Sequence, residues 1–105
     1  MKLFKNFKQA HEFYNFPSSH RFGTIYNDKG VIRSYSNNEY DIEKDNYEIF
    51  YYKLKNETIK QAFLKNKVNN KRMQLFVKVK DGVLDLGKYK VDKFYKDFVK
   101  LLKSN

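Results

Sequence analysis

Residues 73–80, MQLFVKVK, put Met73, Leu75, Val77 and Val79 on one side of a two-residue repeat. That alternation is the signature of a half-buried strand. An Asp-Gly pair follows at 81–82, and VLDL resumes the apolar pattern. Both central positions of a type I′ turn need positive φ, which Asp and Gly tolerate, so the segment predicts a hairpin. Gly87 and KYKV carry the meander onward, and a glycine inside a strand pattern predicts a bulge or a close backbone approach.

The other elements arrange themselves around this hairpin. Phe4, Phe7, His11 and Tyr14 fall at helical spacing, which predicts an N-terminal helix within residues 1–15. Pro17-Ser18-Ser19 ends it. FGTIYN (22–27) and VIRSYS (31–36) read as strands joined at Asp28-Lys29-Gly30. YEIFYYKL (47–54) is apolar or aromatic on both sides, the pattern of a central strand with both faces covered. Asn56 is a suitable N-cap for a helix over 57–66, with Ile59, Ala62 and Phe63 as its buried stripe. Asn69 and Asn70 mark a loop. A last helix is expected over 92–103, burying Phe94, Phe98, Leu101 and Leu102. The expectation is one α+β domain on a curled, largely antiparallel sheet, spanning 22–91 and flanked by short helices.

Charge sorts the possible partners. The chain carries a formal net charge of +10 over 105 residues, and 18% of it is Tyr or Phe. Residues 37–48 run the other way: Glu39, Asp41, Glu43, Asp45 and Glu48 stand against Lys44 alone. The densest basic block holds Lys53, Lys55, Lys60, Lys65, Lys67, Lys71 and Arg72. Such surface favours a polyanion, usually nucleic acid or an anionic membrane surface. No apolar run approaches the roughly 20 residues of a spanning helix, and the basic N-terminus lacks the apolar stretch of a signal peptide. Without cysteine there is neither a disulfide framework nor a thiolate site, and an intracellular protein is the simplest expectation.

Catalytic chemistry is poorly represented. His11 and His20 are the only histidines, with no spacing that puts both on one metal. There is no phosphate loop, nucleophile elbow or dinucleotide fingerprint. Asp41, Glu43 and Asp45 lack the glycine and closing glutamate of a calcium loop. No enzyme, metal or cofactor is expected. Binding chemistry is better supplied, since a nucleic-acid reader needs cations for phosphates and flat rings for bases. Arg21, Arg33 and Arg72 are the only arginines, and their planar forks suit defined phosphate contacts. With His20, Lys53, Lys55 and Lys71 they form the candidate phosphate-binding set.

Three motifs in order, VIRS–YDIEKD–YEIFYY, QAFLKN–MQLFVKVK and the run from Asp85 to Val91, resemble the SRA (or YDG) domain. That family belongs to the wider PUA-like fold and reads modified cytosine in DNA; the motifs cover about two thirds of the chain. His20-Arg21 has a counterpart there too. The resemblance implies a small curled β-barrel and a flipped base held between Tyr40 and Tyr52. It further implies Glu43 as acceptor for a base amino group, with Asp41 and Asp45 beside it. The family's glycine-rich turn after the second tyrosine is replaced by Lys53-Leu54-Lys55-Asn56, and Phe76 and Lys78 alter its P-V-R-V strand. The function expected is non-catalytic nucleic-acid binding, DNA before RNA. The alternative is a small protein-interaction module of viral or phage type that keeps the fold without binding nucleotides.

Overall fold

The computed structural model describes residues 2–16, 25–26, 31–35, 40–42 and 48–104, with 25–26, 35 and 40–42 described through their backbone. Its elements are β1 (Lys2–Phe4), α1 (Phe7–Phe13), β2 (Ile25–Tyr26), β3 (Val31–Tyr35), β4 (Tyr40–Ile42), β5 (Ile49–Lys53), α2 (Glu57–Val68), β6 (Met73–Val79), β7 (Gly82–Phe94) and β8 (Phe98–Lys103). The strands join in the order β2-β3-β6-β7-β8-β5-β4, with β1 also paired to β7. Every pairing is antiparallel except β3 with β6. The sheet is open, because β2 and β4 lie at opposite ends of this order. The α+β class therefore stands, and the expectation of a closed barrel is corrected.

β7 organises the sheet. β6 runs along one edge of it from Gly82 to Tyr89. The other edge is shared end to end: β1 pairs with Val83–Asp85, and β8 pairs from Tyr89 to Phe94. The register shifts twice along β7, once at Leu86, opposite Leu75/Phe76, and once at Asp92. Each bulge adds a residue and bends the strand, which lets one long strand serve three partners. Gly87, expected to mark a bulge, lies beside the first shift at φ +95°.

Two-residue alternation divides the side chains between the faces. One face carries Met73, Leu75, Val77, Leu86, Tyr89, Phe50, Tyr52, Val99 and Leu101, and it closes over Phe63 of α2 to form the main core. The opposite face carries Val31, Phe76 and Val83, covered by Phe4 and by Phe7 and Ala10 of α1. Both helices start at an asparagine cap: Asn6 accepts from the Gln9 amide (2.8 Å) and Asn56 from the Ile59 amide (2.9 Å). Each bond satisfies one of the amides that a helix start leaves unpaired.

Several expectations are revised. The segment 92–103 is not helical: β7 runs on to Phe94, a tight turn reverses the chain, and β8 returns. Val99 and Leu101 face the core while Lys100 and Leu102 face outward, a two-residue period that competes with the helical one in the same letters. β8 fills the slot between β7 and β5, so its backbone groups pair on both sides. Residues 2–4 are a strand, and the first helix starts only after Asn6. The hairpin exists, but its two-residue loop is Lys80-Asp81, since Val79 pairs with Gly82. β5 buries Phe50 and Tyr52 fully while Ile49 and Tyr51 stay half-buried, so only one of its faces is core.

Candidate nucleic-acid interface

α1 covers only part of its face of the sheet. Beyond Lys88, the same face continues across β7, β8 and β5, and no described helix lies over it. The register arranges it in rows. Lys90, Leu102 and Ile49 form one row; Lys93, Lys100 and Tyr51 form the next; Phe98 and Lys53 form the third. Neighbouring strands stand about 4.8 Å apart and same-face residues recur every ~6.6 Å along a strand, so these rows make a compact patch. Tyr95, in the turn between β7 and β8, is 44% exposed, and Leu102 is 37% exposed. Lys93 Nζ lies 5.4 Å from the centre of the Tyr95 ring, within cation–π range. The turn is closed by the Tyr95 amide donating to the Phe98 carbonyl (2.8 Å), which holds both aromatic positions at one end of the patch.

Acids interrupt the lysines, and by register Asp41 of β4 stands next to Tyr51 at the end of the second row. Asp92 sits at the second bulge, with Lys100 Nζ 3.7 Å from its carboxylate. Lys67 of α2 reaches across to donate to the Asp92 carbonyl oxygen at 2.8 Å. The bulge is thus held from both sides of the sheet, and Lys88, Lys90, Lys93 and Lys53 supply the remaining charge of the face.

Under α1 the same face is closed by the apolar cluster around Phe76, with polar contacts beside it. Asp85, nearly buried, accepts from Tyr14 Oη, from Gln74 Nε2 (2.5 Å) and from the Gly87 amide (2.9 Å). Burial raises the Tyr14 phenol first, and the hydrogen bond to Asp85 and the charge of Asp85 add to it, pushing it up to about 12. His11 is fully buried with its ring 5.5 Å from that of Phe76. These contacts join α1 to β6 and β7 and close the end of the molecule next to the open lysine face.

The expected site residues scatter over this architecture. β4 and β5 place Tyr40 directly opposite Tyr52, and Asp41 opposite Tyr51. Tyr52, however, is 0% exposed and packs on Phe63 at 5.2 Å between ring centres. Its ring is a wall of the core, because alternation along β5 turns it toward α2. The role of stacking plate for a base is therefore corrected. Arg33 is corrected as a surface phosphate ligand: it is nearly buried, its guanidinium 4.2 Å above the Phe7 ring. Lys53 and Lys55 are exposed at the start of the β5–α2 connection, and Arg72 is exposed beyond the far end of α2, with Lys71 beside it half-buried. Twelve helical residues, about 18 Å, separate the two groups, so the basic block is not one patch. His20, Arg21, Glu43 and Asp45 lie outside the described residues, as does Glu39 of the acidic cluster.

A helix over 92–103 hides the open lysine face, because it places Lys93, Lys96, Lys100 and Lys103 on one helical stripe, apart from Lys53, Lys88 and Lys90. The alternation of Lys88-Tyr89-Lys90-Val91 and of Val99-Lys100-Leu101 was the available signal. Among the described residues no group of three or more His, Asp or Glu is arranged to hold a metal ion, and no helix is long and apolar enough to cross a membrane. Comparison with known proteins finds no matching family model, curated protein or solved structure.

Proposed function

We propose that the chain is a non-catalytic nucleic-acid-binding module whose contact surface is the open face of β7, β8 and β5. The observation that carries this reading is the co-facial set Lys88, Lys90, Lys93, Lys100 and Lys53, interleaved with Tyr51, Phe98 and Tyr95. Lysines on one rigid face release counterions from phosphates together, and aromatic side chains beside them offer planes to bases. A net charge of +10 favours the approach of a polyanion. Modified-base reading through Tyr40, Glu43 and Tyr52 forms no part of this proposal, since Tyr52 is enclosed.

The test is oligonucleotide binding titrated against salt. Affinity falls linearly on a log–log plot, and Lys93→Gln and Lys53→Gln each reduce the slope by about one unit. Undetectable binding at low salt, or binding indifferent to salt, refutes the proposal.

A second reading, a protein-interaction module, draws on a different place. Phe13 is 54% exposed and borders an open depression of about 510 Å³ lined by Phe4, Gln9, Glu12 and Phe13. Exposed rings beside a concavity are common at protein contacts. A complex that survives nuclease treatment and is lost in Phe13→Ser supports this second reading.

A further inference from the structure

Resting on the nucleic-acid reading above, we infer that the ligand of the lysine face is a single strand whose bases lie on Tyr95, Tyr51 and Phe98. Phosphate contacts alone do not account for the face. Lysines satisfy phosphates, but the exposed ring of Tyr95 and the exposed Leu102 gain nothing from an ionic backbone. The Tyr95 ring gains from a base plane, which removes ring and base from water together.

The geometry suits an unpaired strand. Tyr95 and Phe98 sit together at the closed turn, and Tyr51 lies one row further along on β5, the strand next to β8. Lys93 and Lys100 share the row of Tyr51, and along that row they lie between Tyr51 and the strand end that leads to Tyr95. A strand laid from Tyr95 across β7, β8 and β5 passes Lys93 and Lys100 before it reaches Tyr51. Lys93, now over Tyr95, can turn to a phosphate and leave that ring to a base. A duplex keeps its base planes stacked inside and presents phosphates and groove edges instead. Reading it takes an element that enters a groove, and the described part of this face is a sheet surface with no projecting helix.

Three probes separate the possibilities: inorganic polyphosphate, oligo-dT, and a DNA duplex of equal length, each titrated at the same ionic strength. The expected result is that oligo-dT binds at least tenfold more tightly than either of the others. Tyr95→Ala, at an exposed turn, lowers oligo-dT affinity about tenfold and leaves the salt slope unchanged. Tyr51→Leu, which keeps an apolar strand residue, has the same sign. Upfield shifts of tyrosine ring protons on adding oligo-dT report the stack directly, and unchanged thermal unfolding of each variant shows that the fold is intact. Duplex binding equal to or tighter than oligo-dT overturns the single-strand inference and leaves the nucleic-acid reading standing. Polyphosphate binding as tightly as oligo-dT, or no probe binding at all, overturns both.

Discussion

Gly82 has a sharp structural requirement. Its φ of +149° is one that L side chains rarely adopt, and a Cβ there would run into the carbonyl oxygen of Phe4. The glycine lets β1 lie against the start of β7. Gly82→Ala is therefore expected to cost roughly 1–3 kcal/mol of stability, measured by chemical denaturation, with β1 amides losing protection first. Tyr14 and Asp85 make the second single-residue argument. Tyr14→Phe removes one donor from a carboxylate that is nearly buried, at a cost of about 1–3 kcal/mol. The pH dependence follows from the direction of the phenol shift. The folded value, about 12, lies above the unfolded value of 10, so the neutral phenol is favoured in the folded state. This stabilisation is complete below pH 10 and is lost as pH rises toward 12. Alkaline unfolding followed by circular dichroism should show the loss, and Tyr14→Phe should abolish that part of the pH dependence.

At the level of elements, α2 was legible in the sequence and β8 was not. Asn56, followed by an amphipathic run, states where α2 begins, and the cap is made by atoms of the next three residues. Asn56→Ala should lower stability by about 1 kcal/mol, read from the thermal midpoint. β8 has no such local marker. Phe98, Leu101 and Leu102 fit a helical stripe while Val99 and Leu101 fit an alternating one, and the choice falls to the edges of β7 and β5. Both edges need partners, and only an extended segment can pair with the two at once. The strand assignment makes two neighbouring leucines unequal. Leu101→Lys places a charge in the core and is expected to cost roughly 4 kcal/mol or more, whereas Leu102→Lys should change stability by under about 0.5 kcal/mol. A helical segment buries both positions and predicts similar costs, so paired denaturation curves decide between the two.

For the whole molecule, the division of one sheet face is the consequential feature. α1 and its polar contacts seal the end formed by β1, β6 and the first half of β7. The second half of β7 continues with β8 and β5 as a lysine face. The long basic run around α2, prominent in the sequence, is split by the length of the helix, and Lys67 is drawn into holding the Asp92 bulge. The charge that acts together is gathered from segments 35 or more residues apart, Lys53 with Lys88 to Lys100. Gathering of this kind predicts that Lys90→Glu with Lys93→Glu abolishes oligonucleotide binding. The same number of reversals on α2, at Lys60 and Lys65, should weaken it only modestly. Titration of both double variants at one salt concentration checks this.

Local chemistry was enough to determine some of the protein. Asparagine caps, the alternation of Met73 to Val79 and the isolated glycines each act over a few residues, and they specified α2, the β6–β7 hairpin and a bulge near Gly87. Net charge likewise belongs to composition and pointed to a polyanion before any fold was known. The tertiary structure decided what depends on distant partners. It made 98–103 a strand because two open edges flank it, and it put Tyr52 inside because its face of β5 meets α2. It also assembled a lysine face from strands that are neighbours only in the sheet. Hydrogen-bond pairing and burial are satisfied between segments far apart in the chain, so no short stretch of the sequence states their outcome.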